Sequence, residues 1–525
     1  MNILTNLKNQ YFLIFAVLLF SIGIFLSINA GITHDEFHDY NVWEVNKNLI
    51  LNFFLNTNYE TQFLSDIGKF YGVGFHYLSI PFEIITSLFL DNSFYSDKVK
   101  AILSKHVTVF FLFILSGIFF QKILNLIIEN NFYSNLGGVL YLTYPYLLGH
   151  SFFNVKDIPF LSIWLICTYL IIKISKILVD KKTISKKYFI SISFFTALLL
   201  SIRISGILIF IQYAIMFCLH LNRHSLFFKD FLINNYKNLI LSFISIFLLF
   251  YLLQPSSWEN PFYIFESIKA MSQHEQTVCT TTLGECMKAQ KLPSTYLPIW
   301  FFFKLPLVII FGFILFPIIE KKIVNESFSS FITLSLIFST TSIILLLILF
   351  EVNLYDEIRQ VMFLLPSFFL ISLSMIYFFS KKIFKILLLL SISFFLLQNI
   401  ILYPYNYIWI NNFSHLTKIN GVFELDYWGV STKAVANYFN KNKKNKQICI
   451  ISNRNGGVKA LVQKDHCFSP FKNLHKKNER PFYVALLERG IKKGSPNRCN
   501  IVFEEKRQVN FSSEDLILAK IFKCD

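Results

Sequence analysis

Phe328 to Phe350 reads FSSFITLSLIFSTTSIILLLILF, a run of apolar and hydroxyl residues without one charged side chain. Coiled as a helix it is long enough to cross the hydrocarbon core of a bilayer, which takes about 20 residues. Working outward, comparable runs stand at Tyr11 to Ile28, Ile102 to Phe120, Tyr133 to Leu148, Ile158 to Ile172, Tyr188 to Ile202 and Ile204 to Leu221. Asn238 to Leu253, Tyr296 to Ile319, Val361 to Phe379 and Ile386 to Leu402 complete a set of eleven expected spans. The whole chain agrees: of 525 residues 54% are hydrophobic and only 15% charged, with 62 phenylalanines, a balance that excludes an ordinary soluble globule. A polytopic α-helical membrane protein is therefore expected.

Short connections rich in Lys and Arg mark the cytoplasmic side of such a protein. Here they are Lys122, Lys173 to Lys187, Arg223 to Lys237, Lys321 with Lys322, and Lys381 to Lys385. Eleven spans with the N-terminus inside put every cluster in the cytoplasm, Lys181 included, and send Asp157, Lys444 and the C-terminus outside. Gly72 to Leu90 would break that parity as a twelfth span. Its interior His76, Pro81 and Glu83 suit a helix lying at the interface, because ionisable groups are costly at the bilayer centre. The first apolar run is read as an anchor, since Ile28-Asn29-Ala30 makes a poor signal cleavage site.

After Tyr403 the apolar runs stop. From Tyr405 to Asp525 there are 21 Lys and Arg against 10 Asp and Glu, a large part of the net +17. That basic tail could lean on anionic headgroups or a lipid phosphate, or simply be a solvated face; no nucleic-acid partner is expected. Strand-like runs at Gln447 to Ser452, Pro481 to Leu487, Asn500 to Glu504 and Leu516 to Phe522, with a helix-like Thr432 to Phe439, suggest a small α/β unit. Cys167 and Cys218 lie in spans, whereas Cys279 and Cys286 share one outer loop and Cys449, Cys467, Cys499 and Cys524 share the tail. An even set in exported segments reads as disulfides, and the short loop from Cys279 to Cys286 makes that pair the natural one. No metal-ligand spacing occurs, and no cofactor is identified.

Polar chemistry gathers in the outer segments. Thr33-His34-Asp35-Glu36-Phe37-His38-Asp39-Tyr40 follows the first span closely; Asp35 and Glu36 could take a proton from an acceptor hydroxyl with His38 nearby, or the charges could merely cap a helix. Lys156 and Asp157 precede the next span, where Asp157 can act as a cap and in chemistry alike. Arg203 and Arg359 stand at the outer ends of spans, placed either to snorkel or to neutralise a phosphate. His274, beside Glu275 in the loop with the cysteine pair, is a weaker candidate for binding an acceptor.

An acidic pair in the first outer loop, a second Asp in the next, many spans and an outer C-terminal unit together resemble the GT-C superfamily of membrane glycosyltransferases. Within it the likeness is to the family of protein O-mannosyltransferases and aminoarabinose transferases. It is carried by His150-Ser151-Phe152-Phe153-Asn154-Val155-Lys156-Asp157-Ile158-Pro159, by Leu292-Pro293 with Tyr296-Leu297-Pro298-Ile299-Trp300, by Tyr403-Pro404-Tyr405-Asn406-Tyr407, and by Phe423-Glu424-Leu425-Asp426-Tyr427-Trp428-Gly429. The resemblance runs from about Tyr11 to Val430. It implies inverting transfer of a hexosyl or pentosyl group from a polyprenyl-phosphate sugar, at the outer (periplasmic) face of a bacterial inner membrane, to an envelope glycan, lipid or protein. It further implies Asp35 as the base with Glu36 beside it and Asp157 completing the acidic site. The chain departs from the family where relatives often carry Arg-His, having Arg359-Gln360, and where Glu357 stands in place of a usual glycine.

The expected organisation is thus a transmembrane catalytic unit over residues 1–404, with outer loops at 31–100 and 254–295, and an extracytoplasmic α/β unit over 405–525. A transporter or flippase, or a non-catalytic envelope-assembly protein, would share the many spans. A transporter, however, keeps its polar groups near the midplane in broken helices, and here the acidic groups sit at one surface.

Overall fold

The computed structural model describes residues 2–90, 95–179, 184–223, 228–260, 262–274, 279–323, 328–416, 418–442, 448–463, 466–470, 482–491, 494 and 496–524. Lys181, Glu275, Lys444 and Pro481, which figure in the expectations above, lie outside them. Among the described residues seven helices are long and apolar enough to cross a membrane: Gln10–Ile28, Asp97–Ile128, Asp157–Leu178, Phe231–Leu253, Phe328–Leu349, Arg359–Phe379 and Lys381–Leu402. The fold is that of an α-helical polytopic membrane protein with a small C-terminal α/β sheet. Burial sorts the helices. Arg359–Phe379 and Asp157–Leu178 are 89% and 83% buried over their most apolar windows and form the centre of the bundle, whereas Phe231–Leu253 is 6% buried and turns Ile240, Phe243 and Leu248 outward, as a lipid-facing helix must.

The other four expected spans are shorter or broken. Residues 133–148 divide at Tyr144 into Asn131–Thr143 and Pro145–His150, because Pro145 has no N–H to continue the first ladder. Residues 188–202 fall within Lys186–Ile202, and 204–221 open as a 3-10 turn, Ile204–Leu208, before Ile209–Arg223. Residues 296–319 break at Leu305-Pro306, where Leu305 is extended and the helices Tyr296–Lys304 and Leu307–Ile314 meet at 114°.

The segment between the first two long apolar helices holds a helix that the apolar pattern does not announce, His34–Leu55. Glu36 accepts the backbone N–H of Thr33 at 2.6 Å, closing one of the open donors at its start. Within Gly72 to Leu90 lies one helix, Gly74–Ser87, packed on Asp97–Ile128 and on Lys186–Ile202. The approach is so close that a Cβ on Gly72 would clash with the backbone carbonyls of Ser201 and Ile202, so the position requires glycine.

Between the helices Phe231–Leu253 and Tyr296–Lys304, β1 (Cys279–Thr282) and β2 (Glu285–Lys288) form an antiparallel hairpin bridged by the Cys279–Cys286 disulfide. The tail folds on a five-stranded sheet of β3 (Cys449–Ser452), β4 (Cys467–Pro470), β5 (Phe482–Leu487), β6 (Cys499–Gln508) and β7 (Asp515–Cys524), ordered β4-β3-β5-β7-β6. Neighbours of β3 run parallel to it and neighbours of β7 antiparallel. The helix Thr432–Asn442 packs its Val435 and Phe439 on that sheet. Cys499 is bonded to Cys524 across β6 and β7, and Cys449 stands opposite Cys467 in the β3–β4 register.

Candidate functional site

A cavity of about 640 Å³ opens where ends of the central helices meet the tail, and it is lined by Asp35, His38, Lys156, Asp157, Arg203, His274 and Arg359 together. Helical geometry decides which part of the first acidic stretch reaches it. His38 lies four residues after His34 and three after Asp35 on the helix His34–Leu55, and all three line the cavity. Glu36, one residue on, points elsewhere: its side chain is 2% exposed and holds the Nε2 of His106, whose Nδ1 meets the Ser27 carbonyl at 2.9 Å. It ties three helices together and does not reach the cavity, which corrects the expectation that it stands beside Asp35 in the site.

Arg359 sits at the start of the last central span, behind a loop in which Asp356 and Glu357 have φ of +57° and +65°. Its Nη1 donates to Asp35 Oδ2 at 2.9 Å and its Nη2 faces Asp356 Oδ2 at 3.1 Å. Asp35 keeps 42% of its side-chain surface open and lines the cavity. Burial would raise its pKa, but Arg359 and then Lys156 outweigh that and hold the carboxyl well below the usual carboxylate range. His34 and His274 are both lowered chiefly by burial, with Arg454 adding to the effect on His34. Glu357 has a left-handed backbone, which favours glycine, and its side chain makes a buried ion pair with Lys304 Nζ at 2.9 Å.

Asp157 is engaged on both oxygens. Asn154 Nδ2 donates to Oδ2 at 3.0 Å and Arg203 Nη1 pairs with Oδ1, leaving the side chain 4% exposed. The segment from His150 to Pro159 is one polar relay: Tyr427 Oη meets His150 Nε2 at 3.2 Å, His150 Nδ1 meets Asn154 at 3.0 Å, and Asn154 Oδ1 accepts the Asp157 N–H at 2.8 Å. Asp157 thus positions Arg203. Lys156 pairs with Asp39 and lies 3.9 Å over the Tyr71 ring. His274 lines the far wall, its carbonyl accepting from Asn353 at 3.2 Å.

Several lining residues have no counterpart in the sequence expectations. Asp356 receives both Arg359 and Arg489, and Arg489 also pairs with Glu424 in the Phe423–Gly429 segment. Tyr427, Arg454 and Arg489 all come from the tail. Nothing local marks these arginines among the tail's many basic residues. Among the described residues no group of His, Cys, Asp and Glu is arranged to hold a metal ion.

No family model matches the chain, and no curated protein matches it. Among solved structures it is similar to the crystal structure of ArnT from Cupriavidus metallidurans bound to undecaprenyl phosphate, with 9% identity and a TM-score of 0.47 over 97% of both chains. It is likewise similar to ArnT from the same organism in the apo state, with 9% identity and a TM-score of 0.46 over 98% of both chains.

Proposed function

We propose that this chain is an inverting membrane glycosyltransferase that moves a sugar from a polyprenyl-phosphate donor to a hydroxyl of an envelope glycan, lipid or protein, with its cavity on the periplasmic side of the inner membrane. The observation that carries the reading is the meeting of an accessible carboxylate, Asp35, with Arg359 at 2.9 Å in a cavity also lined by Lys156 and Arg203. A base and a cluster of cations a few residues beyond a membrane span suit a reaction whose leaving group is a phosphate fixed at headgroup level.

In the proposed step the acceptor oxygen gives its proton to Asp35 and forms a bond to the anomeric carbon. The bond from that carbon to the phosphate oxygen breaks, and its electron pair leaves with the polyprenyl phosphate. Attack from the face opposite the phosphate inverts the configuration. Arg359, with Arg203 beside the same cavity, neutralises charge on the departing phosphate. Sharing of Arg359 between Asp35 and Asp356 has a consequence for timing. A phosphate that draws on the guanidinium weakens its hold on Asp35, so the carboxylate gains basicity as the donor arrives. Glu36 serves the scaffold.

The test is transfer from a synthetic polyprenyl-phosphate sugar by the purified chain in bilayers, with product configuration read by NMR. Transfer with inversion supports the reading. Movement of the lipid or sugar across the bilayer without cleavage of the sugar–phosphate bond would replace it with a transporter.

A further inference from the structure

Five cationic side chains line the cavity: Lys156, Arg203, Arg359, Arg454 and Arg489. Four are matched by carboxylates, Lys156 with Asp39, Arg203 with Asp157, Arg359 with Asp35 and Asp356, and Arg489 with Asp356 and Glu424. Arg454 is different. Among the described residues it makes no ion pair, and its guanidinium gives a single hydrogen bond, from Nη2 to the Tyr427 carbonyl at 2.9 Å. A guanidinium carries five N–H donors, so most of this fork is uncommitted.

The side chain is nevertheless firmly mounted. Its backbone N–H donates to Ser452 Oγ at 3.1 Å, just past β3. Its stem lies on the bare face of Gly429, where a Cβ would come 3.5 Å from Arg454 Cγ and 3.6 Å from Nε, and where φ is +71°. The Phe423–Gly429 segment therefore provides both a carbonyl and a glycine face to aim one tail arginine at the cavity. A fixed guanidinium that is partly removed from water and left without an anion is costly, and an anionic ligand would offset that cost. Burial, and then Arg489, lower the Arg454 pKa, while the charges of Asp35, Asp356 and Asp426 act in its favour.

We propose that Arg454 is a phosphate-binding residue, whose open N–H fork receives oxygens of the donor's lipid-linked phosphate, so that the C-terminal unit supplies part of the donor site. The inference rests on the glycosyltransferase reading and adds the ligand of a residue which that reading leaves unused. Arginine suits the task because its planar fork can grip two phosphate oxygens at once.

The experiment titrates the full chain in nanodiscs with three probes, undecaprenyl phosphate, undecaprenol and inorganic phosphate, followed by native mass spectrometry. The wild type is expected to prefer undecaprenyl phosphate to undecaprenol. Arg454→Gln is expected to weaken undecaprenyl phosphate about tenfold or more, the worth of a charge-assisted hydrogen bond, without changing undecaprenol, and Arg454→Lys to lose less. Unchanged affinity of Arg454→Gln for undecaprenyl phosphate overturns the assignment while leaving the donor reading intact. A wild type that does not distinguish undecaprenyl phosphate from undecaprenol overturns the donor reading itself. Equal loss of both lipids with a lowered melting temperature makes Arg454 structural. Inorganic phosphate bound as tightly as the lipid, with the same dependence on Arg454, keeps the phosphate site and removes the lipid as its source.

Discussion

Asp35→Asn removes the basicity of the proposed base while keeping its size and an oxygen for Arg359 to hold. Arg359 Nη1 stands 2.9 Å from Asp35 Oδ2, and an asparagine oxygen can accept the same bond, so the loop carrying Arg359 should stay in place. A positioned general base contributes roughly 10²- to 10⁴-fold in rate. Since Arg359 and Lys156 depress the Asp35 carboxyl against the effect of burial, its proton affinity is modest until the donor's phosphate competes for Arg359, and the loss should fall in the lower part of that range, about 10²- to 10³-fold in kcat. The donor KM should hold or fall, because Arg359 loses a charged competitor for the phosphate. The same depression fixes a pH signature. A carboxylate with a lowered pKa stays ionised on acidification, so kcat/KM of the wild type should be flat from about pH 8 to pH 5 as far as this group governs it. The assay is transfer from a polyprenyl-phosphate sugar with equal amounts of each variant in nanodiscs. A loss below about tenfold, a product with retained configuration, or a kcat/KM that collapses below pH 6 would each refute Asp35 as the base.

Arg359→Lys keeps the charge but loses the fork that spans Asp35 and Asp356, so turnover should drop at least about tenfold; steady-state rates equal to wild type would reduce Arg359 to an anchor. Glu357→Leu strands the buried Lys304 and should cost about 3–5 kcal/mol in detergent unfolding, while Glu357→Leu with Lys304→Met should recover most of it; a double variant as unstable as the single one would show that the pair is not the source of the loss. Non-reduced peptide mapping of freshly isolated membranes should recover Cys279 linked to Cys286 and Cys499 linked to Cys524, and free thiols at all four positions would count against an oxidising compartment for both segments.

Much of the membrane architecture was legible because a lipid-crossing helix leaves an unambiguous composition. The breaks were legible only in part. Pro306 stands in plain view within residues 296–319, but an apolar average over the run hides a turn of 114° between its two helices. The helix His34–Leu55 went unread for the opposite reason: it alternates acid, aromatic and amide residues without a lipid-facing face, and its stability comes from packing on neighbours that the sequence does not announce. In the tail β3, β5, β6 and β7 left strand-like runs, whereas β4 is four residues ending in Pro470 and gives no period to find.

For the site, what was legible was chemistry at the end of a span, and what was not was chemistry delivered by a turn or by a distant segment. Asp35 and Glu36 look equivalent in a string, but successive residues of a helix differ by about 100° in direction, so one faces the cavity and the other faces His106. Asp157 looks like an acid and is a clamp on Arg203, because Asn154 occupies its other oxygen. Arg454 and Arg489 are two among 21 basic residues after Tyr405, indistinguishable until the tail folds back. Their placement bears on how the chain may be divided. Composition changes at residue 404, yet the cavity is walled by Asp35, Arg203 and Arg359 from one side of that boundary and by Tyr427, Arg454 and Arg489 from the other. Arg489, itself held by Glu424 within the tail, joins the two sides through Asp356, so removing the tail would leave Asp356 with one partner fewer beside the arginine on which the proposed chemistry turns. The membrane unit and the tail therefore form one site, and neither holds it alone.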